Sequence, residues 1–162
     1  MGLLNYTTSI STEKTVNEIQ SALAKAGARA VLHEYDGFGH VAALSFRIQT
    51  QFGEIAFRLP ANIEAVKRIL KKQALTGKIP RRYADDIDQA TRTAWRILKD
   101  WLLAQSALIE TGMATVEQVF LPYAQNASGL TLYEALIEKK FAGLALPAPK
   151  DSKVVRLQEA GA

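Results

Sequence analysis

The chain contains no cysteine and only two histidines, two methionines and five prolines among its 162 residues. Without cysteine there is no disulfide framework, no thiol nucleophile and no thiolate metal site, a composition that fits a reducing compartment. No stretch of eighteen consecutive apolar residues occurs, and the opening MGLLNYTTSI lacks a basic region followed by a long apolar run. The expectation is a protein that neither spans a membrane nor is secreted. The two histidines, His33 and His40, have no H-x-x-x-H or H-E-x-x-H spacing, so no metal is expected. The acidic triplet Asp85, Asp86 and Asp88 is accounted for by a helix start. Gly37 and Gly39 lack the third glycine and following helix of a dinucleotide fingerprint. There is no Walker sequence and no G-x-S-x-G. With no seat for catalysis and no cofactor motif, the reading is a non-enzyme.

What the chain does have is one long helical pattern, from Asp85 to Gly112. Ala94, Ile97, Leu98, Trp101, Leu102, Gln105, Leu108 and Ile109 fall on one face at 100° per residue, with Trp95 at its margin and Arg92, Arg96 and Lys99 opposite. Acidic residues at its start and Gly112 at its end suit the polarity of a helix. Ahead of it, residues 1–10 read as an extended arm. A first helix follows, with Thr15 and Glu18 in capping-box spacing and Gly27 as its stop.

The period then changes from helix to strand. ARAVLHEY, VAALSFRIQ and EIAFRLP are strand-like, and their short connections require an antiparallel meander. A hairpin closed symmetrically about Thr50–Gly53 puts Arg58 across from Ser45 and Arg47 across from Ala56, so both arginines share the polar face. After Pro60, Asn62 caps a second helix with Ile63, Val66, Ile69 and Leu70 inward. Two further capping boxes, Thr115 to Gln118 and Thr131 to Glu134, open short helices beyond the long one. The fold expected is α+β: a three-stranded antiparallel meander with helices on one face (α-β-β-β-α), then a long helix and two short ones. Residues 1–142 read as a single domain and 143–162, without periodicity, as a flexible tail.

Charge is the strongest functional signal. Seven of the 20 basic residues (Lys67, Arg68, Lys71, Lys72, Lys78, Arg81 and Arg82) lie in one stretch with no acidic residue among them. The other 13 face all 16 acidic residues, so the remainder of the chain carries −3. Such a band is suited to phosphates, with Tyr83 as a stacking residue for an unpaired base and Arg47 and Arg58 extending the track. It is equally the pattern of a solvated helix face. Trp95 and Leu103, outside the main apolar stripe, offer a partner surface or a homo-oligomer seam along the long helix.

YTTSISTEKTVNEIQSALAKAGA, the LSFRI and IAFRLP strands, and AWRILKDWLLAQSALIETGMATVEQVFLPYA together resemble a family of small uncharacterised proteins of bacteriophages, prophages and integrative elements. The likeness covers roughly residues 4 to 140, and the tryptophan-rich block through VFLPY is its most distinctive part. It implies a mobile-element protein acting in the bacterial cytoplasm and brings no catalytic residue with it. Three functions follow as expectations. The first is nucleic-acid binding through the basic band. The second is an interaction module for a host or phage protein, such as an inhibitor of host defence. The third is an oligomer that sequesters a phosphorylated signalling nucleotide.

Overall fold

The computed structural model describes residues 1–147. Of the expected tail, residues 148–162 lie outside the described residues. Helix α1 (Thr12–Lys25) leads into strands β1 (Ala28–Tyr35), β2 (Val41–Thr50) and β3 (Gly53–Pro60). Helices α2 (Ile63–Leu75), α3 (Ile87–Glu110), α4 (Val116–Phe120) and α5 (Leu132–Glu138) follow. The strands form one antiparallel sheet in the order β1-β2-β3. The fold is therefore α+β with the expected order.

Alternation decides which face of the sheet is buried. Leu44, Phe46 and Ile48 of β2 and Phe57 and Leu59 of β3 pack against Val16, Ile19 and Leu23 of α1, Trp95 and Leu102 of α3, and Phe120 of α4. Ser45 pairs with Arg58 and Arg47 with Ala56, the register that the symmetric turn requires. Gly53 at the turn has a φ of +110°, a conformation that favours glycine. A second apolar cluster joins α2 to α3: Leu70, Ile79, Ala84 and Ala90, with Leu3, Tyr6 and Tyr83 packed around them.

Three local readings are corrected. Residues 4–7 form a turn and no strand includes residues 1–10, so the segment is not an extended arm; side chains of α3 hold it in place. Gln89 Nε2 donates to the Tyr6 and Thr8 carbonyls at 2.8 and 3.0 Å, and Asn5 Nδ2 donates to Asp100 at 2.7 Å. Helix α1 is capped by Ser11, whose hydroxyl accepts from the Lys14 N–H. Thr15 lies a turn further in, fully buried, beneath Arg96. Ile69 faces outward on α2, while Leu70 takes the buried position.

The larger correction concerns Trp95. It is buried, and its indole N–H donates to the Val41 carbonyl at 2.9 Å, so it ties α3 to the start of β2 and offers no partner surface. A single apolar stripe placed it at the margin. The N-terminal half of α3 is enclosed more widely than one stripe, and Gln89, Ala90, Thr91, Thr93, Ala94 and Trp95 are all buried. Trp101 packs edge-on against Phe120 and Tyr123 at ring separations of 6.0 and 5.7 Å. Leu103 remains exposed, beside an apolar groove between α1 and α3 that Ala22, Ala26 and Ile109 line.

Replacing Trp95 by Phe should lower unfolding free energy by about 2 kcal/mol, from lost volume and an unsatisfied carbonyl. Leu103→Ala should change it by less than about 0.5 kcal/mol. Urea denaturation followed by circular dichroism measures both.

Candidate functional site

The basic residues separate into two groups once their partners are known. Arg47 and Arg58 share the sheet face turned away from α1 and α3, and each is engaged by a carboxylate. Arg58 Nε lies 3.1 and 3.0 Å from the two Glu34 oxygens and Nη2 2.8 Å from Oε2, a bidentate arrangement to which Ser45 Oγ adds a hydrogen bond at 2.8 Å. Arg47 Nη1 donates to Glu54 at 3.0 Å. The hydrogen bonds from Arg58 hold the Glu34 carboxyl below its ordinary range, against a smaller opposing effect of burial and with help from Ser45. Arg58 is correspondingly pushed up, first by its hydrogen bonds to Glu34.

Arg92, Arg96 and Lys99 of α3 are likewise paired. Arg96 and Lys99 converge on Glu18 of α1 at 2.8 and 3.4 Å, and Arg92 reaches Asp86 at 3.4 Å. Desolvation pulls the Glu18 carboxyl upward, but Lys99 and Arg96 outweigh it and leave its pKa lowered. The two Glu18 pairs join α1 to α3, and Arg92 is held by the N-cap residue of its own helix, so the polar side of α3 is not free.

The band from α2 onward is different. Arg68, Lys71 and Lys72 project from α2, Lys78 from the connection after it, and Arg81 and Arg82 from the 3₁₀ turn Arg81–Tyr83. All six are exposed, and none makes an ion pair among the described residues. Lys67, half-buried at the head of the band, stands 3.9 Å from Glu64. The local chain geometry explains the continuity. Asn62 caps α2 by accepting from the Ala65 N–H at 3.0 Å. At the far end the Lys78 N–H donates to the Gln73 carbonyl at 2.9 Å, turning the chain back so that Ile79 packs with Leu70. The cations therefore continue from the helix around its C-terminal end.

Tyr83 does not present a free ring. Tyr6 meets it edge-on at 5.3 Å, and the Arg82 guanidinium lies over it at 4.8 Å while donating to its hydroxyl at 3.1 Å. In this arrangement one face of the ring is covered by Arg82.

Phe38 is a further candidate that helix and strand periodicity do not mark. It sits in the β1–β2 loop, 88% exposed, on a backbone fixed by Asp36. One Asp36 oxygen accepts from the Phe38 and His40 N–H groups at 2.8 and 2.9 Å, and these bonds, led by His40's, keep the carboxyl below its ordinary range. His40 in turn lies between Asp36 and Asp88 of α3, its ring nitrogens at 3.3 and 3.2 Å. The signal available in sequence was a large aromatic in a D-G-F-G-H loop where neither strand nor helix period gives it a buried partner. His33 lies 3.3 Å from Gln20 of α1. Among the described residues no group of three or more histidines and carboxylates is placed to hold a metal ion. No helix among them is long and apolar enough to cross a membrane.

No family model, curated protein or solved structure matches this chain.

The Glu34–Arg58 pair generates a pH dependence. A carboxyl lowered by folding adds stability above its unfolded pKa, about 4.3, and that stability is lost as pH falls through the folded value. Unfolding free energy should therefore differ between the wild type and Arg58→Ala by a constant amount from neutral pH down to about that pKa. The difference should shrink in more acidic solution. Urea titrations across this range give the comparison.

Proposed function

We propose that this protein binds nucleic acid through the cationic band of α2 and the turn that follows, as an accessory factor with no catalytic part. One observation carries the reading. Arg68, Lys71, Lys72, Lys78, Arg81 and Arg82 are exposed, free of carboxylate partners and gathered on one element and its turn, whereas Arg47, Arg58, Arg92, Arg96 and Lys99 each face a carboxylate. The other exposed unpaired cations among the described residues, Lys14, Lys25, Arg29, Lys139 and Lys140, are spread over α1, β1 and the end of α5. A paired guanidinium gains little from a phosphate, since the contact costs it an existing partner. An unpaired cation with its neighbours of like sign gains from neutralisation and from counterion release.

The charge pattern supports a partner that is a polyanion, because lysines and arginines spaced along a helix and around its end track repeated phosphates better than one compact anion. The resemblance of the tryptophan block to mobile-element proteins supplies the setting, a phage or integrated element within a bacterial cell. Arg47 and Arg58 drop out of the phosphate track, for the reasons given by their partners.

Binding to fluorescein-labelled oligonucleotides, followed by anisotropy, should weaken steeply with added salt. Changing Lys71, Lys72, Arg81 and Arg82 together to alanine should cut affinity at low salt and reduce the log–log salt slope by about 3. Arg47→Ala should leave both within error. Absence of binding even at low salt would make the band a solvated helix face.

A further inference from the structure

Phe38 overhangs a groove of about 510 Å³ that the β1–β2 loop forms with the head of α2 and the start of α3. Its walls are apolar, from Phe38, Ala42, Ala61, Ile63 and Ile87, and Lys67 stands on its rim. Lys67 is also the first cation of the band, with Lys71 one helical turn further along α2. An apolar slot with an exposed aromatic ring thus opens at one end of a row of cations.

We infer that the groove receives an unpaired base, stacked on Phe38, of a single strand whose phosphates run along Arg68, Lys71 and the rest of the unpaired band. The inference rests on the nucleic-acid reading above and specifies its substrate class. Charge complementarity selects the occupant. An apolar peptide would leave the adjacent cations without partners, whereas a nucleotide carries a flat apolar face and an anionic link in one unit. Every base has such a face, so stacking of this kind binds single strands without demanding a sequence. In a duplex the bases are stacked on each other and do not reach a slot beside the backbone track.

The acidic residues at the groove are arranged so as not to oppose this. Asp36 is turned into its loop, accepting from Phe38, His40 and the His40 ring, and Glu64 lies beside Lys67. Asn62 uses its carbonyl oxygen on the helix cap, which leaves its amide N–H₂ at the groove as a donor to a base edge.

The test uses the full chain with oligothymidylate, oligouridylate and a mixed-sequence duplex, each titrated by anisotropy. Phe38 is exposed, so Phe38→Ala is expected to fold as the wild type does, which circular dichroism checks. Phe38→Ala should lower affinity for the single strands roughly tenfold or more, leave the duplex affinity unchanged and leave the salt slope unchanged. Phe38→Trp should retain single-strand affinity, and its added indole fluorescence should be quenched on saturation. Single-strand binding that is salt-dependent yet indifferent to Phe38→Ala would overturn the stacking slot and leave the cationic band standing. Failure of every oligonucleotide to bind would overturn both.

Discussion

The N-terminal half of α3 is covered from several sides, and the placement of the other elements depends on that enclosure. Trp95 faces the sheet and bonds the Val41 carbonyl, Ala90 faces the α2 cluster, and Gln89 holds the backbone of residues 6 and 8. Of the buried hydroxyls of this helix, Thr91 Oγ1 donates to the Ile87 carbonyl at 2.8 Å within the helix and Thr93 Oγ1 to the Asn5 carbonyl at 3.4 Å in the N-terminal segment. One helix is thus a wall of both apolar clusters. With α1 and the sheet on one side of it and α2 on another, α2 contributes Leu70 to the interior and keeps its opposite face outward. The exposed cations follow from that position.

Charge is distributed by the same packing. Where two elements must be held together, a carboxylate is present: Glu18 between α1 and α3, and Glu34 between β1 and β3. Along the outer face of α2 nothing is to be joined, and past Glu64 no carboxylate occurs until Asp85. The result is a protein whose structural arginines and whose free cations can be told apart by their partners. Six of the free ones follow one another along α2 and the turn beyond it, with an aromatic-lipped groove at their head, whereas Lys14, Lys25, Arg29, Lys139 and Lys140 are spread over α1, β1 and the end of α5.

Much of this was legible in the sequence, for identifiable reasons. The β2–β3 register followed from strict alternation about a short turn ending in Gly53, and each of the capping residues Asn62, Thr115 and Thr131 starts its helix as its spacing suggests. These are local constraints, fixed by a few neighbouring residues. What the sequence did not reveal depends on contacts across the chain. Trp95 looked marginal because the second cluster and the N-terminal segment widen the buried arc of α3. Arg58 looked free because Glu34 is 24 residues away, on β1, and reaches it across β2. Tyr83 looked open on all sides because Tyr6, which meets its ring edge-on, lies near the start of the chain. Phe38 went unremarked because loop residues carry no periodicity, and only its place beside Lys67 gives it a role.

The central claim is that the α2 face and the β1–β2 loop form one continuous binding surface and that the polar face of the sheet does not take part. Backbone amide shifts in an ¹⁵N-labelled sample, followed by NMR as oligothymidylate is added, test it directly. The account predicts perturbations concentrated in residues 36–40, 62–72 and 78–83, with Arg47, Glu54 and their β-strand neighbours unmoved. Perturbations centred on the polar sheet face, or spread evenly over all exposed cations including Lys14 and Lys25, would contradict it.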